Sequence, residues 1–263
     1  MVAIIDKIRV ADSFSKAAGT YDKAAALQQD VGEQLLEWLD PPSCATGRIL
    51  DLGCGTGYFS RHLTDIYPHR DLVCLDIAQG MLQHARSTRG LSGAHWLCAD
   101  AEALPLAKNS VAQLYSSLAI QWCSSLTQLF KELARVLNSG GSAVISSLGP
   151  SSLFELRESW ADVDQNVHVN KFVALEEVLA ALPVNLQVER QRREIRVLEY
   201  NKLSEITSEL KNIGAHNMNV GENKGLTGRA RVGKFKSNYE SFRQKNGKLP
   251  ATYEVYYLLL RKK

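Results

Sequence analysis

Residues 48–57 read Arg48-Ile49-Leu50-Asp51-Leu52-Gly53-Cys54-Gly55-Thr56-Gly57, an apolar run that ends in an acid and then places glycine at every second position. A segment with helical spacing, Tyr58-Phe59-Ser60-Arg61-His62-Leu63, follows directly. Strand, glycine turn and helix in that order describe the first βα unit of a nucleotide-type binding fold. Glycine is required because the chain turns sharply and a ligand must approach the backbone with no Cβ in the way. The start of the helix then aims unpaired N–H groups at that ligand.

The spacing narrows the ligand. A dinucleotide fingerprint is Gly-x-Gly-x-x-Gly, whereas this chain has Gly-x-Gly-x-Gly, with Asp51 two residues before Gly53. An acid there repels a pyrophosphate but suits an ammonium, so a ligand with an α-amino group, a carboxylate and an adenosine fits better than NAD. On these residues, Leu50 to Gly57 resembles the first motif of the class I S-adenosylmethionine-dependent methyltransferases; the alternative is a structural βα turn with no ligand. The resemblance implies S-adenosylmethionine as cofactor. It also implies a Rossmann-like α/β fold: a seven-stranded mixed sheet with helices on both faces, plus N-terminal and C-terminal lid segments.

Further acids follow at strand ends. Asp71-Leu-Val-Cys-Leu-Asp76 reads as the second strand, with Asp76 placed 25 residues after Asp51. A carboxylate there accepts from both ribose hydroxyls, each charge-assisted bond contributing roughly 1.5–3 kcal/mol; the other reading is a helix cap. Ile77 adjoins it in the same cofactor-binding set. Ala94 to Asp100 reads as the third strand, with Asp100 to accept from the adenine amino group and the Ala101 N–H to donate to a ring nitrogen. Ser110 to Ser117 is the fourth strand and leads into Leu118-Ala-Ile-Gln121-Trp122-Cys123. Leu118 belongs to the cofactor set. Gln121 is placed to hydrogen-bond substrate, and Trp122 either walls the substrate pocket or packs in the core. Ser125 to Leu137 is an amphipathic helix capped by Asn138-Ser-Gly-Gly141, and Ser142 to Ser147 is the fifth strand.

The flanks are assigned to one domain over residues 1–263: an N-terminal helical lid at 10–40, the cofactor core at 45–150 and substrate-side segments at 151–263. Tyr21 lies where the helical lid crosses the cofactor mouth, or packs at a helix junction. Beyond Leu148 come a helix (Pro150 to Trp160), a polar connector (Asp162 to Phe172) holding His168 and Asn170, a short helix (Leu175 to Leu182) and a strand-like stretch (Val184 to Tyr200) carrying Arg190, Arg192, Arg193 and Arg196. A helix (Leu203 to Ile213), a polar basic lid (215–250) and a last strand (Tyr253 to Leu260) beside the fifth complete the chain.

Charge is unevenly spread. Residues 1–150 hold 12 Lys and Arg against 14 Asp and Glu, whereas residues 201–263 hold 13 against 5. That basic end, with Arg229, Arg231, Lys234 and Lys236, is either a solvated loop or the mark of an acidic partner drawn in by long-range attraction; without a recognisable module and with few interleaved aromatics, nucleic acid is not expected. No apolar run reaches membrane-span length and the start lacks a signal-type apolar block, so cytoplasm is the expected compartment and no membrane partner is expected. The five cysteines have no Cys-x-x-Cys spacing, so neither a metal site nor a disulfide framework is expected; Cys74 and Cys98 read as small buried residues.

Outside the cofactor core, several stretches resemble the malonyl-acyl-carrier-protein O-methyltransferases of biotin synthesis. They are Lys16-Ala-Ala-Gly-Thr-Tyr21-Asp-Lys-Ala-Ala-Ala-Leu-Gln28, Leu118 to Cys123, Trp160 to Asp164 with His168-Val-Asn170, and Ile213-Gly-Ala-His-Asn217 with Gly225-Leu-Thr-Gly228. The resemblance implies methylation of the free carboxyl of malonyl-acyl carrier protein, or of malonyl-coenzyme A. In that setting Tyr21, Gln121, Trp122, His168 and Asn170 are the candidates to align the substrate, and the four basic residues to dock the acidic carrier. The competing readings are a quinone-synthesis methyltransferase and a non-catalytic assembly protein that keeps the cofactor seat.

Overall fold

The computed structural model describes residues 5–40, 46–215 and 228–263. The chain enters through α1 (Lys7–Ala17), α2 (Tyr21–Ala24) and α3 (Ala26–Leu36). Then β1 (Arg48–Leu52), α4 (Tyr58–Ile66), β2 (Leu72–Asp76), α5 (Gln79–Thr88), β3 (His95–Cys98) and β4 (Val111–Ser116) alternate. A single 3-10 turn (Ile120–Trp122), α6 (Leu126–Val136) and β5 (Leu137–Leu148) follow. The rest is α7 (Phe154–Ala161), α8 (Leu175–Ala180), β6 (Leu186–Tyr200), α9 (Leu203–Asn212), α10 (Arg229–Glu240) and β7 (Leu249–Lys262). Among the described residues, seven strands form one sheet in the order β3-β2-β1-β4-β5-β7-β6. The first five are parallel, and β7 runs antiparallel between β5 and β6.

Strand periodicity divides the core in two. Ile49, Cys74, Tyr115, Val144 and Tyr257 point to one face, where α3 and α4 add Leu27, Val31, Leu35 and Leu63. Their neighbours Leu50, Val73, Leu114, Ile145 and Leu258 point to the other, where α6 and α8 add Leu129, Phe130, Leu133 and Val178. A sheet covered on both faces needs strands apolar at nearly every position, and β2, β4 and most of β7 are buried throughout. Strand order reverses between β1 and β4, so the crevice outside their carboxyl ends is the place for a ligand. Among the described residues, no helix is long and apolar enough to cross a membrane.

Several boundaries differ from the sequence reading. Asn138 to Gly141 does not cap α6: Leu137 turns directly into extended backbone and pairs with Val111. The helix-end carbonyls of Arg135 and Val136 accept instead from the N–H groups of Asn109 and Ser110, at 3.0 and 2.8 Å. The last strand is longer than Tyr253 to Leu260 because β6 pairs along it from Leu186↔Lys262 to Tyr200↔Leu249. Part of the basic lid, Arg229–Glu240, is a helix, with Phe235 and Tyr239 buried; residues 216–227 of that lid lie outside the described residues, as does Pro41-Pro42-Ser43. Cys74 is buried as expected, but Cys98 is exposed, because β3 is the edge strand.

Candidate active site: two cavities that share a wall

The glycine loop is shaped from β1 and β2 together. The N–H groups of Gly53 and Cys54 both donate to the Leu75 carbonyl, at 2.7 and 3.0 Å, so the chain leaves β1 bent across the end of β2. Gly53, Gly55 and Gly57 all have positive φ, at 73°, 53° and 74°, a region in which side chains are strained. Their surroundings differ. A Cβ on Gly53 would come within 2.3 Å of the Ala119 Cβ, one on Gly57 would press on Ala85, Arg89 and Trp96 at 3.2 Å, and one on Gly55 meets nothing within 4 Å. Gly53 and Gly55 line a cavity with about 780 Å³ of empty space, open solvent at its mouth included, whereas Gly57 does not and serves packing beneath the loop.

Asp76, Ile77, Asp100, Ala101 and Leu118 line the same cavity. Asp76 is nearly buried; one oxygen accepts from the Gly55 N–H at 2.8 Å and the other from the Ala78 N–H at 2.7 Å. It therefore fixes the loop and guides entry to α5, and each oxygen keeps a lone pair for a hydroxyl. Burial pushes its carboxyl upward, opposed by these backbone donors. Asp51 does not line the cavity. It is buried behind the loop, accepts from the Ser60 hydroxyl at 2.6 Å, and is pushed up to about 7 by burial, with Ser60 pulling down and Asp76 pushing up. Asp100 already has a cation: the Lys7 ammonium, on α1, sits 2.6 Å from one of its oxygens and also reaches Glu102. Asp6 sets Lys7 in place by capping α1, accepting from the N–H groups of Ile8 and Arg9 at 3.1 Å.

A second cavity, with about 1100 Å³ of empty space, open solvent at its mouth included, adjoins the first. Phe14, Tyr21, Leu118 and Trp122 line both and form the wall between them. Phe14 meets Trp122 edge to face with centroids 5.4 Å apart. Leu118 holds a left-handed φ of 47°, unusual for a branched side chain, and its N–H is held by the Ser146 carbonyl and hydroxyl at 3.1 and 3.0 Å. Strain of this kind persists where a site requires it. Tyr21 is anchored through its neighbour: Asp22 accepts from the Thr56 hydroxyl at 2.6 Å and is ion-paired with Arg89. The N-terminal helices are thereby tied to the glycine loop. Burial first, then Asp76 and Asp22, push the Tyr21 phenol far above its ordinary range, so it stays protonated and keeps an O–H.

Gln121, His168 and Asn170 line the second cavity with Trp122. The His168 ring stacks on Trp160 with centroids 3.8 Å apart, and Trp160 stacks on Phe235 of α10 at 4.2 Å. Its Nε2 lies 2.7 Å from an Asp164 oxygen. His168 is thus a pillar joining connector, α7 and α10 as well as a lining residue. Among the described lining residues, Lys211 is the one lysine or arginine. Arg229, Arg231, Lys234 and Lys236 line neither cavity and are exposed on α10, where the Lys234 ammonium donates to the Asp162 carbonyl. The sequence reading missed Lys7, Phe14 and the Asp22–Thr56–Arg89 tether. Phe14 stood at helical spacing, but nothing local marks Lys7 or Arg89, whose partners lie 93 and 67 residues away.

A sulfonium nucleoside fits the first cavity: Gly55 leaves Cβ space free, and the Asp76 oxygens have acceptor capacity to spare. Residues 50–145 match the family model described as a methyltransferase domain. Among solved structures, the BH2331 chain of Bacillus halodurans superimposes with a TM-score of 0.60 at 13% identity, over 88% of this chain and 97% of that one. The geranyl diphosphate C-methyltransferase of Streptomyces coelicolor A3(2) does so with a TM-score of 0.52 at 15% identity, over 88% and 79%. The fold is that of the class I methyltransferases, the class whose cofactor is S-adenosylmethionine.

Relatives in sequence are more specific. The malonyl-[acyl-carrier protein] O-methyltransferase of Methylovorus sp. is 42% identical over 97% of this chain and 88% of its own length. That of Gallionella capsiferriformans is 40% identical over 97% and 90%. The biotin biosynthesis bifunctional protein BioHC of Cellvibrio japonicus is 48% identical over 100% of this chain but only 51% of its own length. The chain thus spans about half the length of the bifunctional relatives it matches. It belongs to the malonyl-[acyl-carrier protein] O-methyltransferase family.

Proposed function

We propose that this chain transfers the methyl group of S-adenosylmethionine to the free carboxylate of a malonyl group carried as a thioester on acyl carrier protein. The products are the malonyl methyl ester and S-adenosylhomocysteine. The observation that carries this reading is the shared wall: a cavity suited to the cofactor meets a larger, mainly apolar cavity at Phe14, Tyr21, Leu118 and Trp122. Asp76, Ile77, Asp100, Ala101 and Leu118 would hold the cofactor, with Asp51 supporting the loop from behind.

The bound cofactor supplies a methyl group on a positively charged sulfur. In the transfer, one carboxylate oxygen would bond to the methyl carbon as the carbon–sulfur bond broke, with the electron pair left on sulfur. Negative and positive charge cancel, and no proton moves. A carboxylate is already ionised at neutral pH, so the site needs no general base. Tyr21 donates at the junction and orients the oxygen. Trp122 and Phe14 exclude water there, and alignment of this kind contributes about 7–11 kcal/mol in favourable cases. The exposed cations of α10 suit an acidic carrier; malonyl-coenzyme A offers the same thioester without that protein surface.

The test is transfer of labelled methyl from S-adenosylmethionine to malonyl-acyl carrier protein, with unloaded carrier as control. Label on the loaded carrier that base releases as methanol is the expected result. Equal label on both carriers contradicts the reading.

A further inference from the structure

The second cavity holds two side-chain oxygens that no described residue satisfies. Gln121 donates its Nε2 to the Leu118 carbonyl at 2.7 Å, which fixes the orientation of its amide. Its Oε1 is buried without a hydrogen-bond partner. Gln28, on α3, brings a second buried Oε1 without a partner, and both residues line this cavity. An amide oxygen accepts and cannot donate, and a buried acceptor left unmatched is costly. Two such acceptors in one cavity call for a ligand with N–H or O–H groups.

The malonyl group cannot meet that need. Its ionised carboxylate, its thioester carbonyl and its sulfur are all acceptors. The donors of a carrier-linked thioester are on the pantetheine-type arm: two amide N–H groups, the first of them two carbons beyond the sulfur, and a hydroxyl farther along, beyond the second amide. We propose that Gln121 and Gln28 accept hydrogen bonds from these amides, so that the second cavity reads the arm as well as the acid. The inference rests on the malonyl thioester reading above. It divides the cavity's polar groups by role: Tyr21 donates to the acid, and the two glutamines accept from the arm.

Two small substrates isolate the effect. The malonyl thioester of N-acetylcysteamine carries one such amide; the malonyl thioester of pentanethiol has similar length and none. The wild-type protein is expected to favour the first by about tenfold in kcat/KM. Gln121→Met and Gln28→Leu, each checked for folding by a thermal melt, are expected to shrink that preference through a higher KM for the amide-bearing thioester. Equal use of both thioesters by the wild type overturns the inference while leaving methyl transfer intact. So does a loss that falls equally on both in the variants, which is what a structural role produces. Weakened affinity for S-adenosylhomocysteine in Gln121→Met also overturns it, by assigning that oxygen to the cofactor. Methylation of neither thioester, with malonyl-acyl carrier protein also inert, removes the function and the inference together.

Discussion

The two cavities are built by different means. The first is set into one edge of a parallel sheet: its loop is fixed by two N–H groups on the Leu75 carbonyl, and Asp76 grips that loop by two more. Most of its polar partners are backbone groups on rigid strands. The second cavity draws Gln28 from α3, Gln121 from the 3-10 turn, His168 and Asn170 from the connector, Lys211 from α9 and Phe235 from α10. Side chains from many segments meet there, joined by aromatic stacking and one His–Asp contact. A seat made of backbone tolerates little change but depends on few residues. A pocket made of side chains can be retuned one residue at a time, as suits the part that chooses the acceptor.

Gly55→Val is the most severe way to break that contrast. The new side chain would stand in the open space of the first cavity, on backbone with a φ of 53°. The strain costs about 1–2 kcal/mol, so the fold survives with a lowered Tm, while affinity for S-adenosylmethionine falls by more than about a hundredfold. Calorimetry and a thermal melt separate the two effects. A comparable loss of fold and binding would mean that Gly55 serves the turn alone.

Carrier docking outside the second cavity is tested by reversing charge at Arg229 and Arg231 together. Both are exposed and outside the cavities. The double Glu variant is expected to lower kcat/KM for malonyl-acyl carrier protein by about tenfold at low salt, and for malonyl-coenzyme A far less. Equal loss on both substrates would remove α10 from carrier docking.

The smallest effect concerns the support behind the first cavity. Burial holds the Asp51 carboxyl at about 7, above its unfolded value near 4. The folded chain therefore keeps a proton that the unfolded chain loses, and stability falls as pH rises from about 4 to about 7. Asp51→Asn removes that loss. It should raise the Tm of the cofactor-free protein by roughly 5 °C at pH 8 and change it little at pH 4. An unchanged Tm at pH 8 would mean that Asp51 is ionised in the fold without cost.

The same contrast explains what could be read from the chain beforehand. The glycine loop and the acids at strand ends are local patterns, so β1, β2, β3 and β4 and the lining positions Asp76, Asp100 and Ala101 followed from residues close in sequence. Asp51 shows the limit of that reading. Its position before the turn was legible, but its burial against Ser60 depends on how α4 packs. Lys7 on Asp100 and Asp22 on Arg89 join residues far apart in the chain, for which spacing has no signal. Within the polar basic lid the α10 helix has no sequence signal, because its buried residues, Phe235 and Tyr239, are too sparse to set a period. Asn138 to Gly141 looked like a helix stop, yet pairing with β4 drew the chain straight into a strand.

The first cavity as cofactor seat is tested most directly by titrating S-adenosylhomocysteine calorimetrically into the wild type and into Asp76→Ala. One site per chain is expected for the wild type. If the Asp76 carboxylate holds the ribose as proposed, its removal forfeits charge-assisted bonds of about 1.5–3 kcal/mol each, so the variant should bind at least about 30-fold more weakly. No heat with the wild type, or equal affinity in the two proteins, would contradict it.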